Sequence, residues 1–306
     1  MLKNYHDILI QMRTIHFDVD EHLSKYLLGV KKTGSLQNIT NTDDFRDTEI
    51  ISIKSASIAS QKNLSQFPSL KMLITRTVGT DHIDLDYCKE HDIIVKNIAD
   101  YGSFNIAEHV FALLLSGSRN IISTQSEINS GKFTFKGHLG FSLKGKTLGV
   151  VGTGHIGLEV IKIANVFGMK VVAHDVYKNE EAKKELEYEY VGLEELAAQS
   201  DVITLHAPLL DSTHHMIDDV IISKMKDGVV LINTARGELI DTKDLIKHIE
   251  KFRWIGLDVI EGEKKFSKDN PLLKFKNVVI TPHIAFYSDS SVKKIAEKTE
   301  KLIMGL

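Results

Sequence analysis

The feature that most constrains this chain is the run Gly152-Thr153-Gly154-His155-Ile156-Gly157, set between the apolar segment Thr147–Val151 and a stretch of helical periodicity. Ile156, Val160, Ile163, Ala164 and Phe167 recur at spacings of three and four, the period of an α-helix. A strand that runs through a glycine turn into a helix is the opening of a βαβ unit. Downstream, apolar segments at 171–173, 202–205, 229–232, 255–257 and 278–280 alternate with helical patterns at 193–199, 218–225 and 241–250. That rhythm predicts a parallel sheet with helices on both faces.

The first hundred residues repeat the rhythm on a smaller scale. Strands are expected at 50–53, 70–75 and 93–95, with helices at 20–28, 61–66 and 83–90. Residues 105–122 read as one long helix leading from this unit to the next, and 288–304 as an amphipathic helix. A length of 306 residues suits two domains, and 4 prolines leave little room for an extended linker. No internal repeat is present.

Composition excludes several classes of function. A net charge of -3 supplies no electrostatic footprint for nucleic acid or an anionic membrane. The apolar runs at 110–115 and 229–232 fall far short of the ~20 residues of a bilayer span. Lys3, His6, Asp7 and Arg13 interrupt the start of the chain, so no secretory signal is expected. The lone Cys88 can form neither an internal disulfide nor a multi-cysteine metal site. It reads as a packing residue in a reducing compartment, and a cytoplasmic protein is expected. His214 and His215 are adjacent and would not share a helix face, so no metal is expected there.

The glycine loop carries specific chemistry. The first glycine permits the tight turn, the second lets a pyrophosphate approach the backbone, and the third allows close helix–strand packing. The helix N-terminus adds unpaired N–H groups for the phosphates. Asp175, eighteen residues past Gly157, suits the ribose diol of an adenosine and repels a 2′-phosphate. His174 and Lys178 nearby offset part of that repulsion. NAD is therefore the expected cofactor, with Gly152, Gly154, His155, Ile156, Gly157 and Asp175 as its binding residues. Because the loop lies mid-chain, the cofactor domain follows or interrupts another domain, and a cleft between domains is a usual place for a small substrate.

Three further segments fall where strands should end at the cofactor crevice: His206-Ala207-Pro208, Asn233-Thr234-Ala235-Arg236-Gly237 and Leu257-Asp258-Val259-Ile260-Glu261-Gly262-Glu263. Ligands of open parallel sheets bind beyond such carboxyl ends. Arg236 there can grip a carboxylate with two N–H bonds, although an ordinary surface ion pair is the simpler reading of any single arginine. Thr281-Pro282-His283-Ile284-Ala285 supplies a histidine just past the last strand. Lys54, at a strand end of the first unit, adds positive charge for a substrate carboxylate if it points inward, and is otherwise a solvated lysine.

Taken together, these segments and Arg76-Thr77-Val78-Gly79-Thr80-Asp81-His82-Ile83-Asp84 resemble the D-isomer-specific 2-hydroxyacid dehydrogenase family, in particular its D-lactate dehydrogenase-like branch. The resemblance runs from about Leu70 to the C-terminus, its last motif being Thr281 to Tyr287. It implies two doubly wound parallel-sheet α/β domains: a Rossmann cofactor domain at 99–285, inserted into a smaller flavodoxin-like substrate domain at 1–98 plus 286–306. It also implies a homodimer built on the cofactor domains, and an NAD-dependent enzyme interconverting a small D-2-hydroxy acid and its 2-oxo acid.

The resemblance makes Arg236, Glu263 and His283 the catalytic trio. Glu261 and Glu263 compete for the acid's place, and the family spacing of five residues after Asp258 selects Glu263. His283 would protonate the carbonyl oxygen during reduction and take the proton back in reverse. A carboxylate beside an imidazole favours its charged form and orients the ring. Arg236 would hold the substrate carboxylate and polarise the carbonyl. Backbone N–H groups of Val78 and Gly79 would hold the same carboxylate, with Tyr101 and Phe286 near the substrate. His206, Pro208, Thr234, Ala235 and Asp258 would lie along the cofactor.

Two departures from the family pattern stand out. Lys264 follows Glu263 where proline is usual, and Gly102-Ser103 replaces Ser-Pro after Tyr101. Glu263 in place of glutamine disfavours formate as substrate. Lactate, larger aliphatic and aromatic acids stay open, as do phosphite oxidation and an NAD(H)-sensing protein on the same fold.

Overall fold

The structure, a computed structural model, describes residues 13–39 and 45–305. The start of the chain read above for a signal lies, through residue 12, outside them. The chain divides into two compact units, one of residues 1–102 with 287–306 and one of residues 103–286. The sheet of each is wholly parallel, as the resemblance implies.

In the smaller unit five strands, β1 (Thr14–His16), β2 (Val30–Lys31), β3 (Ile50–Ile53), β4 (Met72–Thr75) and β5 (Ile94–Asn97), lie in the order β2-β1-β3-β4-β5. All four residues of β3 are buried, the mark of a parallel strand covered on both faces. The buried Arg76 follows β4 and ties three strand ends together. Its guanidinium donates to the carbonyls of Phe17 and Asp18 beyond β1, and to the carbonyl and hydroxyl of Ser52 in β3.

The helix expected at 20–28 is absent. Only a 3₁₀ turn, Leu23–Lys25, forms there. Asp20 Oδ1 accepts the N–H groups of His22 and Leu23, and Gly29 turns the chain at φ +93° into β2. Local side-chain acceptors and the pairing of β1 with β2 outcompete helical hydrogen bonds.

The larger unit has seven strands: β6 (Thr147–Val151), β7 (Lys170–His174), β8 (Glu189–Tyr190), β9 (Val202–Leu205), β10 (Val229–Asn233), β11 (Phe252–Leu257) and β12 (Val278–Ile280). Their order, β12-β11-β10-β9-β6-β7-β8, reverses direction between β6 and β9. Two apolar clusters cover the faces. In β10, Val229 and Leu231 enter one cluster while Val230 and Ile232 enter the other, the alternation that a pleated strand imposes.

Residues 105–122 form two helices, Ser103–Ser118 and Ile121–Asn129, not one. The break falls at Asn120, whose φ of +54° is left-handed, a conformation that asparagine tolerates better than most residues. Its side-chain N–H group donates to the His138 carbonyl. The first helix lies against β11 because Gly117 leaves room for Trp254: a Cβ there would sit 2.3 Å from the indole. The Trp254 N–H donates to the Leu113 carbonyl at 3.0 Å.

A buried carboxylate in the smaller unit yields a test. Glu300, on the C-terminal helix Asp289–Ile303, accepts the Leu28 N–H at 2.7 Å. Its second oxygen is buried with no partner among the described residues. Burial raises its carboxyl above the ordinary carboxylate range and outweighs the opposing Leu28 hydrogen bond. Because the folded pKa exceeds the unfolded value of about 4.3, ionisation favours unfolding, and stability is lost as pH rises through the raised value. Glu300→Gln keeps an acceptor without the charge. In urea unfolding, this variant is expected to lose less stability than the parent as pH rises above the unfolded value of about 4.3.

Candidate active site

The reversal in strand order brings the ends of β6 and β9 side by side, with Val151 paired to Leu205 and the His206 N–H donating to the Val151 carbonyl at 2.7 Å. The three glycines that follow β6 meet different constraints. Gly152 sits at φ +95°, and a Cβ there would come within 2.7 Å of the His206 backbone. A Cβ on Gly157 would overlap the Gly152 carbonyl at 2.0 Å. Gly154 faces open space, with nothing within 4 Å of a Cβ. Two glycines close the turn and the third leaves its surface bare, just where the helix His155–Val166 begins.

Asp175, one residue past β7, accepts from the Thr153 N–H at 2.6 Å and from the Thr153 hydroxyl at 3.0 Å. Its other oxygen accepts the Tyr177 N–H at 2.9 Å. Buried Thr234 carries a hydroxyl with no protein partner among the described residues. The protein around His206 pulls its pKa down to about 3, although the residue keeps some exposed surface, so the imidazole is neutral. Its Nε2 lies 2.9 Å from the Thr204 hydroxyl. An open glycine, a helix N-terminus, a fixed carboxylate and an orphan hydroxyl together fit a dinucleotide. Among the other residues expected there, His155, Pro208 and Gly154 are exposed, while Ile156 and Ala235 are half-buried.

The next three strands end in register, with Asn233 beside Leu257 and Leu257 beside Ile280. Their loops carry Arg236, Glu263 and His283. Asn233 is buried and clamps the first loop, accepting the Ala235 N–H and donating to the Arg236 carbonyl. Gly237 lets this loop press on the next: its Cβ would fall 2.0 Å from the Ile260 backbone. The Arg236 guanidinium donates to the Ala235 carbonyl at 2.8 Å.

The two glutamates part company here. Glu261 lies 2.6 Å from His215 Nε2, and its second oxygen accepts the Thr242 N–H. Burial alone would raise its carboxyl, but these partners hold it below the ordinary value. Glu263 instead faces His283 Nδ1, at 3.0 and 3.2 Å.

His283 adopts a left-handed φ of +55°, costly for a residue with a Cβ. Asp258 holds it there. The Asp258 carbonyl accepts the His283 N–H, and its carboxylate accepts from the Thr281 hydroxyl at 2.5 Å, the Ile284 N–H at 2.9 Å and the Ala285 N–H at 2.8 Å. His109 Nε2 lies 3.0 Å from the Thr281 hydroxyl and 3.5 Å from Asp258. Burial pushes the Asp258 carboxyl up, yet these partners outweigh it and leave the group below its ordinary value. The sequence reading missed His109, whose place on a helix face gave no signal of a partner more than a hundred residues away.

In the smaller unit the Val78 carbonyl accepts from Asn97 at 2.8 Å and the Gly79 carbonyl from the Thr77 hydroxyl at 2.6 Å. With both carbonyls tied, the Val78 and Gly79 N–H groups have no protein acceptor among the described residues. Lys54 Nζ sits 5.5 Å from the Tyr287 ring centroid. Burial lowers its pKa, partly opposed by Asp20. Tyr101 is buried. Phe286, in the larger unit, packs edge-on to the His283 ring at 6.4 Å between centroids. Cys88 is buried, and burial raises its thiol. Among the described residues no group of His, Cys, Asp and Glu could hold a metal ion, and no helix is long and apolar enough to cross a membrane.

Residues 111–285 match the family described as D-isomer specific 2-hydroxyacid dehydrogenase, NAD binding domain. The chain is 41% identical over 245 residues to an aromatic 2-oxoacid reductase of Clostridium sporogenes, covering 75% of this chain and 73% of the relative. A glyoxylate reductase of Korarchaeum cryptofilum is 38% identical over 237 residues, covering 75% and 71%. Among solved structures, a D-lactate dehydrogenase from Aquifex aeolicus complexed with NAD and lactic acid superposes with a TM-score of 0.85. It is 37% identical, covering 95% of this chain and 94% of that one.

The knot at Asp258 is open to direct test. An amide at this position keeps one acceptor but turns an N–H donor toward a backbone N–H of Ile284 or Ala285. Asp258→Asn is expected to cost about 1–3 kcal/mol, the penalty of leaving a buried donor unsatisfied, read by urea unfolding.

Proposed function

The chain belongs to the D-isomer-specific 2-hydroxyacid dehydrogenase family, and from that premise we propose that His283 is its acid–base, Glu263 the partner that orients it and Arg236 its carboxylate anchor. The enzyme is an NAD-dependent oxidoreductase that interconverts a small D-2-hydroxy acid and its 2-oxo acid. NAD, when bound, supplies the hydride acceptor or donor at the substrate's C2.

One observation carries the assignment of roles: both oxygens of Glu263 lie within 3.2 Å of His283 Nδ1. A carboxylate there accepts a hydrogen bond from the Nδ1–H, which fixes the tautomer and supports positive charge on the ring. Nε2 then delivers a proton to the carbonyl oxygen in reduction, and removes it from the hydroxyl in oxidation. Arg236 binds the substrate carboxylate and polarises the carbonyl as negative charge gathers on its oxygen. In the smaller unit, which we read as the substrate domain, the N–H groups of Val78 and Gly79 serve the same carboxylate. Tyr101 and Phe286 shape the substrate's surroundings, and Lys54 is the candidate partner for a second acidic group. On the cofactor side Gly152 to Gly157 take the pyrophosphate and Asp175 the adenosine ribose. His206, Pro208, Thr234 and Ala235 line the remainder. Asp258 serves that side by holding its loop.

His283→Ala is expected to reduce NADH-dependent turnover of pyruvate, glyoxylate, 2-oxoisocaproate, phenylpyruvate or oxaloacetate by about 10²–10⁴-fold. The NADH Kd, measured by fluorescence titration, should barely move. Turnover equal to the parent would remove His283 from its role.

The working form proposed here is a cytoplasmic homodimer joined through its cofactor domains. Supporting this, the segment after helix Ile121–Asn129 presents Phe133 at 96% and Phe135 at 88% exposure, a density of bare aromatic surface typical of an interface. Phe133→Asp with Phe135→Asp is expected to halve the mass seen by light scattering after gel filtration. A parent that already runs as a monomer would end this reading.

A further inference from the structure

The carboxylate of Asp175 stands at the end of a row of hydroxyl groups. Thr153 Oγ1 lies 3.0 Å from Asp175 Oδ2 and 2.8 Å from the Tyr190 hydroxyl. The Tyr190 hydroxyl in turn lies 3.0 Å from that of Tyr188 and accepts the Asn179 N–H at 3.0 Å. Tyr188 is buried. Tyr188 and Tyr190 come from β8 and the residue before it, whose pairing with β7 brings their hydroxyls to the glycine loop.

The direction of every bond in this row follows from counting protons. A carboxylate only accepts, so Thr153 gives its single hydroxyl proton to Asp175. Having no second proton, Thr153 must accept from Tyr190. The Tyr190 proton is then committed, so Tyr188 must donate to the Tyr190 oxygen. Burial and the Tyr190 phenol raise the Tyr188 pKa, which keeps that first donor protonated. Each bond polarises the next, and all of them point at one carboxylate oxygen. The Thr153 N–H reaches the same oxygen at 2.6 Å, and the Tyr177 N–H pins the other at 2.9 Å.

We infer that Tyr188, Tyr190 and Thr153 form a one-way hydrogen-bond chain that holds Asp175 in place as the filter against a 2′-phosphate. Asp175 can reject NADPH only while its charge stays where the 2′ position will arrive. Without the chain the carboxylate keeps only the N–H groups of Thr153 and Tyr177, and its charge is held less tightly at the place where a 2′-phosphate would arrive. Thr153 and Tyr190 are thus positioning residues that act on cofactor choice through Asp175. The inference rests on NAD binding by the glycine loop, which the parent protein tests separately.

The experiment titrates NADH and NADPH by fluorescence into the parent, Thr153→Val, Thr153→Ser, Tyr190→Phe and Asp175→Ala, and into Tyr190→Phe combined with Asp175→Ala. Thermal melts confirm that each variant is folded. The expected result is a ratio of NADPH to NADH Kd that falls about tenfold in Thr153→Val, the worth of one hydrogen bond to a charged group, and by a smaller factor in Tyr190→Phe, which removes the neutral bond one step back. Thr153→Ser should keep the parent ratio, and Tyr190→Phe should change nothing further once Asp175 is alanine. Equal weakening of both cofactors, or an unchanged ratio, would overturn the chain's role. If Tyr190→Phe fails to fold, Thr153→Val decides alone. A parent that binds no NADH would defeat the cofactor assignment itself.

Discussion

A carboxylate that exposes 1% of its residue surface must find its donors inside the protein. Asp258 finds them almost entirely along one loop, in the Thr281 hydroxyl and the N–H groups of Ile284 and Ala285. That single group therefore sets the path of residues 281–285. It forces His283 into a left-handed conformation that the residue would not adopt alone, and so determines where the imidazole meets Glu263. Ion pairs on the surface could not do this, since exposed pairs contribute little and impose no unique geometry. The larger unit's chemistry depends on this knot.

Close approach of backbones does the same work elsewhere. Gly152, Gly157 and Gly237 each stand where a Cβ would strike a main-chain atom within 2.7 Å. The first draws the glycine loop against the end of β9, the second closes the following helix onto the loop's own backbone, and the third seats the Arg236 loop on the Glu261 loop. Gly154 is the exception, with free space where its side chain would be. A parallel sheet makes this clustering possible, because every strand delivers its loop to the same edge. The order β8-β7-β6-β9 then sets the loops after β6 and β9 where the strand order reverses, the usual place for a ligand of an open parallel sheet.

Much of this was legible in the residues. The strands at 147–151, 202–205 and 278–280 and the helix at 193–199 form over the expected residues, because apolar runs between turn signals leave few alternatives. The helix expected at 20–28 failed, since its polar side chains and glycine served the tertiary structure instead. Strands β1, β2 and β8 were missed: two or three residues carry too little periodicity to read. The helix Glu180–Leu186 was also missed, although Asn179 as its cap and two glutamates in its first turn were a readable sign. Choosing Glu263 over Glu261 needed family spacing. Nothing in a pair of glutamates two residues apart says which one will meet a histidine.

By itself, then, the sequence determined the parallel α/β plan, the glycine loop with its trailing Asp175, and the presence of Arg236, a pair of glutamates and His283 just past successive strand ends. These rest on local properties: apolar period, glycine at fixed spacing, and residue type just past a strand. Only the tertiary structure decided that Glu261 belongs to His215, that His109 supports Thr281, that Asp258 bends the His283 loop, and that the Tyr190 hydroxyl meets Thr153 beside Asp175. Each of these is a hydrogen bond between groups far apart in the chain. Hydrogen bonds depend on distance and direction within a few tenths of an ångström, and only the packed fold supplies both.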